Sequence, residues 1–193
     1  MTEPTPQEVL DFWFSDRDDA GQVVFRRAWF EKNDDFDTAI RDGFEATYTR
    51  AAARELEDWR EQPHTALALV VTLDQFSRNM FRDDPKMYAA DSYATEIAKE
   101  SLAKGDDKVF GLVQSWFFYM PLMHSEHLAD QEACVTLFEQ LPQNETVQRG
   151  LESAKKHRDI VARFGRFPHR NVILGRESTA EEEAFLLEPD SSF

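Results

Sequence analysis

The sequence is poor in the features that mark several common protein classes. It has one cysteine, Cys134, so no disulfide can form within the chain, and we expect a reducing compartment. Glycine is scarce, with only 7 residues, and alternating runs of Val, Ile and Thr are few, which argues against a large sheet. The longest apolar stretches, 66–71 and 116–123, are far shorter than the roughly 20 residues that cross a bilayer. No basic and apolar leader opens the chain, so we predict a cytoplasmic protein with no membrane partner.

Basic residues are also scarce. The chain has 22 Lys and Arg against 37 Asp and Glu, a net charge of -15, which repels nucleic acid and anionic lipid. Its 193 residues are 41% hydrophobic and include 16 Phe, enough to bury a core. We therefore predict one all-helical domain over residues 1–193 that does not bind nucleic acid. Residues 1–4 and 188–193 are predicted to be loose.

Several standard catalytic devices are missing. The sequence has no glycine-rich phosphate-binding loop and no Gly-x-Ser-x-Gly element. Cys134 shares a predicted helix face with Val135 and Phe138, which is typical of a core residue and not of a nucleophile. Function must therefore be sought among the remaining polar residues.

Apolar residues recur at helical spacing along most of the chain. Capping boxes pair Thr5 with Glu8 and Thr179 with Glu182, and Gly105 suits a helix C-terminus. The longest regular stripe consists of Phe36, Ile40, Phe44, Tyr48 and Ala51. Further helices are predicted up to Phe14 and over 24–32, 67–78, 87–102, 109–119, 125–141 and 145–164. The short loops between them indicate antiparallel neighbours.

A first polar group interrupts the apolar face of residues 67–78. Asp74 and Arg78 are four residues apart, as are Gln75 and Asn79, so each pair shares a helix face. One interpretation is an ion pair that locks this helix to a neighbour. The other is that Asp74 orients Arg78 toward a ligand. Asp91 lies on another buried-looking face, and we expect Arg78 or an arginine of 163–170 to pair with it.

A second polar group surrounds residues 124–131. His124, His127 and Gln131 follow a spacing of three and four, which would put them on one face. A metal site would need His124, His127 and Glu126 as ligands, but the spacing fixes only the two histidines and no third ligand. We therefore predict no metal and no cofactor. These imidazoles are predicted to be hydrogen-bonded interior groups or acid–base residues. His157 falls on an apolar stripe, and its two interpretations are a hydrogen-bonded core histidine and a ligand-binding residue.

The segment 163–176 concentrates positive charge in an acidic protein. It contains four arginines and His169, with no Asp or Glu. Gly165, Pro168 and Gly175 predict a loop, anchored by Phe164, Phe167, Val172 and Leu174. Two interpretations remain open for the arginines. They cap helix carbonyls and pair with carboxylates such as Asp74 or Glu126, or they hold an anionic ligand.

Three stretches carry a resemblance to a known family. LDQFSRNMFRDDP, PLMHSEHLADQ and FGRFPHRNVILGRES, in this order, resemble a bacterial family known as domain of unknown function 924. The opening VLDFWF and the segments WFEKNDDFD and STAEEEAFL are similar as well. The resemblance implies an all-α fold of stacked antiparallel helix pairs in a superhelical bundle like that of tetratricopeptide repeats. It implies no activity.

Three functions follow as hypotheses. The first is a protein that binds a small anionic ligand or peptide in a pocket lined by Arg, His and Asn. The second is a hydrolase-like enzyme in which His124 or His169 is the acid–base residue and arginine clamps an oxyanion. The third is a helical scaffold for a protein partner, with purely structural polar networks. The predicted binding residues are Asp74, Gln75, Arg78, Asn79, Glu126, Gln131, His157, Arg163, Arg166, Arg170 and Asn171, and we expect the three motifs to meet at one cavity.

Overall fold

The computed structural model describes residues 3–189 and 191–192, and within them the chain is all-α, as predicted. The only β pairing among these residues is an isolated bridge between Arg17 and Val23. The α-helices are α1 (Pro6–Trp13), α2 (Asp34–Ala52), α3 (Pro63–Val70), α4 (Ser77–Met80), α5 (Asp91–Lys104), α6 (Leu112–His124), α7 (Leu128–Gln140), α8 (Glu145–Phe164) and α9 (Ala180–Phe185). The superhelical arrangement stays a prediction.

Contacts group the chain into two compact units. The first contains residues 1–82 and 86–121, and the second contains 83–85 and 122–193. In the first unit α1 packs on α3, α2 packs on α4, and α3 packs on α5, while in the second α7 packs on α8. That the two units make a single domain stays a prediction.

The central element of the first unit is the continuous helical segment 63–80. Its middle, Val71–Phe76, is a π-helix between α3 and α4. Every residue from 66 to 77 is buried, so the segment is surrounded by protein on all sides. Most of these residues are apolar. A π turn widens the helix by one residue per turn and often accompanies a functional site. Here it carries Asp74 and Gln75.

Helix ends follow the local sequence signals. Thr5 accepts from the Glu8 amide and Glu8 accepts from the Thr5 amide, and Thr179 and Glu182 form the same reciprocal pair. Gly105 ends α5 at a φ of 79°, a left-handed conformation that glycine adopts without a Cβ clash. These capping predictions are confirmed.

Several boundary predictions are wrong. The helix predicted over 87–102 is Asp91–Lys104, and the one predicted over 109–119 is Leu112–His124. Residues 24–32 do not form a helix. Only Arg27–Trp29 makes a 3₁₀ turn, because Val23 joins the β bridge and Arg26 pairs with Asp16. The first helix ends at Trp13 and not at Phe14. The predicted helix 125–141 begins only at Leu128.

The predicted loose ends are partly held. Glu3 forms an ion pair with Arg50, and the Ser191 hydroxyl donates to the Leu186 carbonyl at 3.2 Å. Residues 1, 2, 190 and 193 lie outside the described residues. Contacts with the helical body therefore reach into both predicted tails.

Candidate functional site

The first polar group forms a buried ion-pair network in the first unit. The Asp74 side chain is 1% exposed and accepts from Gln75 Nε2 at 2.6 Å, and Arg78 lies 3.2 Å away. Arg78 also donates to both oxygens of Asp91, at 2.9 Å each. Burial alone would lower the pKa of Arg78, but the carboxylates of Asp91 and Asp74 raise it above its usual value. Arg78 is therefore held by two carboxylates, one of which is the predicted Asp91.

A second network in the same unit was missed at the level of sequence. Asp37 is buried, and its carboxylate accepts from Asn79 Nδ2 at 2.8 Å and from Arg82 Nε at 2.5 Å. Arg41 donates to the Met80 carbonyl at 2.6 Å, at the end of α4. Arg82 follows Arg78 by four residues, so the sequence already indicated that both arginines lie on the same face of the helix. These contacts tie α2 to the segment 63–80 and use Asn79 as a structural donor.

Most arginines of the segment 163–176 are bound to carboxylates. Arg166 donates to both oxygens of Glu182, at 2.6 and 2.8 Å, and these bonds lower the pKa of Glu182 to about 2. Arg163 donates to Glu181 at 3.0 Å. The predicted binding roles of Arg163 and Arg166 therefore compete with ion pairs to the first turn of α9.

Arg176 is the main partner of Glu126. It donates to both carboxylate oxygens at 2.7 and 2.9 Å, and the Phe167 amide donates to Glu126 at 2.8 Å. Burial would raise the pKa of Glu126, but these bonds, together with the charge of Arg170, lower it. Arg176 is therefore only partly exposed: 24% of its side-chain surface is accessible, and its guanidinium binds Glu126 through two nitrogens.

Arg170 and three histidines gather around Phe167 in the second unit. Phe167 is fully buried, and the Arg170 guanidinium carbon lies 4.5 Å from the centre of its ring. The His157 and His169 rings are each centred 5.6 Å from the Phe167 ring, and His124 is centred 6.4 Å from His157. We name His124, His157, His169 and Arg170, with Phe167, the histidine–arginine cluster.

Chain geometry explains how the cluster forms. His124 ends α6, and its carbonyl accepts from Arg170 at 2.9 Å, because the last carbonyls of a helix lack partners within it. His157 lies on the buried face of α8. Pro168 begins a 3₁₀ turn that holds His169 and Arg170 beside Phe167.

The environment of the cluster lowers the pKa of His157. Burial is the main cause that lowers its pKa to about 3, and electrostatic interactions with His124, Arg170 and His169 make smaller contributions in the same direction. Its Nδ1 lies 2.8 Å from the Ser153 carbonyl, which only accepts, so Nδ1 carries the hydrogen and Nε2 the lone pair. The cluster therefore disfavours a positive charge on His157 and contains one permanent cation, the Arg170 guanidinium.

This buried imidazole should make the fold sensitive to mild acid. The folded pKa lies below the unfolded value of 6.5, so the unfolded state takes up a proton that the native state does not. We expect stability to fall as pH drops from 6.5 toward 3, with His157 contributing about 2 kcal/mol of the loss between about pH 7 and pH 5.

Urea unfolding at both pH values measures this loss. His157→Gln keeps a donor for Ser153 but does not titrate, so its loss of stability should be smaller than that of wild type. His127→Gln, at an exposed position, is the matched control and should follow wild type. An equal acid loss in wild type and His157→Gln would show that His157 is not buried as a neutral imidazole.

The remaining predicted residues have mainly structural contacts. Gln131 Nε2 donates to the carbonyls of Met123 and Ser125, each at 2.6 Å, and Asn171 donates to Ser178 at 3.0 Å and accepts from Arg176 at 3.0 Å. The prediction that His124, His127 and Gln131 share one helix face is wrong, because α6 ends at His124 and α7 begins after His127. Among the described residues no group of three His, Cys, Asp or Glu side chains could hold a metal.

The residues predicted to share one cavity are divided between the two units. Arg78 belongs to the first unit, and Glu126, His124 and Arg170 belong to the second. A cavity shared by all three motifs stays a prediction. Within the second unit, the second and third motifs do meet, through Glu126 with Arg176 and through His124 with Arg170.

Comparison with known proteins identifies the family. A family model described as "Bacterial protein of unknown function (DUF924)" matches residues 9–190. The chain belongs to DUF924. The structure of a "Protein of Unknown Function ATU0120" from Agrobacterium tumefaciens shares 40% identity with this DUF924 chain and has a TM-score of 0.83. The match covers 94% of this chain and 96% of that one. A search of curated proteins finds no match.

Within the described residues, none of the helices combines the length and the apolar character that crossing a bilayer requires.

Proposed function

We propose that this DUF924 protein binds a small anionic ligand, or the acidic end of a peptide, at the histidine–arginine cluster. The observation that carries the proposal is the placement of Arg170, 4.5 Å from the centre of the buried Phe167 ring, with the His157 and His169 rings 5.6 Å from that ring and His124 beside His157. A guanidinium and imidazoles arranged around a buried ring suit a carboxylate or phosphate group. We also infer that the protein acts in the cytoplasm, because its one cysteine is buried and reduced.

The other predicted arginines contribute less to such a site. Arg78, Arg163 and Arg166 each hold a carboxylate of the protein, and an entering anion would have to displace it. The proposed ligand contacts are Arg170, His124 and His169, because these residues lie together around Phe167 and His157. Glu126 and Asn171 act through Arg176 as positioning groups for the segment that carries them.

The enzyme hypothesis assigns acid–base chemistry to His124 or His169. His157 does not fit that role, because a base with a pKa of about 3 is too weak to take a proton efficiently near neutral pH. The scaffold hypothesis is favoured by the ion pairs of Arg78, Arg166 and Arg176. Anion binding at Arg170 is compatible with both the enzyme hypothesis and the scaffold hypothesis.

Phosphate, sulfate or a dicarboxylate should raise the melting temperature of wild type more than chloride does at matched ionic strength. The match is needed because any salt screens the net charge of an acidic protein. An anion at about 100 times its dissociation constant adds about 2.7 kcal/mol, or roughly 5–10 °C for a chain of this size.

Arg170→Ala should remove the anion-specific increment and keep the general salt effect. Arg163→Ala, in the same segment but exposed, is the matched control and should keep both. Each increment is measured from the variant's own melting temperature in chloride, so a change in stability does not affect the comparison. If wild type does not distinguish anions, or if Arg170→Ala still does, the cluster is not an anion site.

A further inference from the structure

An exposed pair of aromatic rings lies in the first unit, outside the histidine–arginine cluster. Phe25 is 43% exposed, Phe30 is 49% exposed, and Val24 beside them is 36% exposed. The two rings are stacked, with centres 5.4 Å apart and planes 13° from parallel. Apolar side chains that remain exposed together are typical of an interaction surface. We name Val24, Phe25 and Phe30 the aromatic patch.

The patch is held rigidly from below. Trp29 is 5% exposed, packs edge-on against both phenylalanines, and donates from its indole nitrogen to the Trp13 carbonyl at 3.0 Å. Arg26 donates to the carbonyls of Phe12 and Trp13, at 3.3 Å each. The rings therefore do not need to be ordered when a partner arrives, which lowers the entropic cost of association.

Charge around the patch indicates the kind of partner. Residues 15–35 contain six Asp and Glu and four Lys and Arg, and all six acids are exposed. Arg26 is paired with Asp16 and Arg27 with Glu31, so the acids still outnumber the cations by two among the other residues. We name the six exposed acids of residues 15–35 the acidic rim. The face of an aromatic ring attracts cations as well. A partner that carries both apolar side chains and Lys or Arg meets the rings and the acidic rim together.

A second copy of the chain fits less well. Two patches brought face to face would also bring together two acidic rims, in a protein of net charge -15. We propose that the aromatic patch is a docking surface for a basic, apolar segment of another protein.

A short peptide of alternating leucine and lysine is a direct probe of this surface. Titration at about 150 mM salt, where long-range attraction is screened, is followed by isothermal calorimetry. A serine–lysine peptide and a leucine–glutamate peptide of the same length separate the contributions of apolar contact and charge. We expect saturable binding of the leucine–lysine peptide and weaker binding of both others.

Phe25→Ser with Phe30→Ser should weaken that binding at least about tenfold, because exposed aromatic anchors dominate such interfaces. Phe30→Ser alone should give a smaller loss of peptide affinity, and this single variant replaces the double variant in the test if the double variant folds poorly. Val172→Ser with Leu187→Ser is the matched control, since these residues are 86% and 89% exposed elsewhere, and binding should stay within about twofold of wild type.

Three results would overturn the proposal. The first is no saturable binding of the leucine–lysine peptide. The second is binding that the double variant leaves unchanged, which would assign it to charge alone. The third is a concentration-dependent dimer of wild type in sedimentation that the double variant abolishes, which would make the patch a contact between copies. Anion binding at Arg170 is not involved in any of them.

Discussion

Replacing Asp74 with alanine is expected to lower the free energy of unfolding by about 3 kcal/mol. The Asp74 side chain is 1% exposed and accepts from Gln75 and pairs with Arg78. Its removal leaves a buried amide donor without that acceptor and takes one of the two carboxylates from a buried guanidinium. Because Arg78 keeps its two bonds to Asp91, the loss should lie near the lower end of the range for broken buried pairs.

Arg176→Ala is the comparison for this change. Arg176 and Glu126 are each about a quarter exposed, so water can solvate the carboxylate that remains, and Glu126 keeps the Phe167 amide. We expect a loss of about 1–2 kcal/mol, smaller than for Asp74→Ala. Urea midpoints of the two variants give the answer. Equal midpoints would contradict a buried, paired Asp74.

Phe167→Ala should be at least as damaging in the second unit, with a loss of about 3–5 kcal/mol. Phe167 is fully buried and packs with Ile160, Val161 and Phe185. Its ring also contacts His157, His169 and Arg170. Truncation leaves a cavity at the place where the segment 163–176 joins the helices, so Arg170 loses the surface on which it lies.

Val172→Ala is the matched control for this variant. Val172 lies in the same segment and was predicted to anchor it, but that prediction is wrong, since Val172 is 86% exposed. Its truncation should change stability by less than about 0.5 kcal/mol. Thermal and urea unfolding of both variants test the difference. A Phe167→Ala protein as stable as Val172→Ala would mean that Phe167 does not hold the segment.

Local signals in the sequence were enough to predict much of the fold. The stripe from Phe36 to Ala51 lies in α2, and the helix predicted over 145–164 has these bounds in the structure. The capping boxes at Thr5 and Thr179 also form as predicted. Helical periodicity and caps depend on residues within four positions of each other, which is why they can be read from one sequence.

The choice of ionic partners was predicted only in part: the pair of Arg78 with Asp91, and a pair between Glu126 and an arginine of 163–176, were among the alternatives and are confirmed. Arg176 pairs with Glu126, fifty residues earlier, and Asp37 pairs with Arg82, forty-five residues later. These pairs depend on how helices pack, which local spacing does not contain. Residues 24–32 were misassigned for a related reason, since the contact of Arg26 with Asp16 overrides a weak helical preference.

Imidazole NMR during a phosphate titration tests the central claim most directly. The chain has five histidines, and long-range ¹H–¹⁵N spectra resolve the ring nitrogens of each. If the histidine–arginine cluster binds an anion, the signals of His124, His157 and His169 should shift together with one dissociation constant, while those of His64 and His127 should not. Equal shifts of all five, or no shift of the three, would contradict an anion site at this cluster.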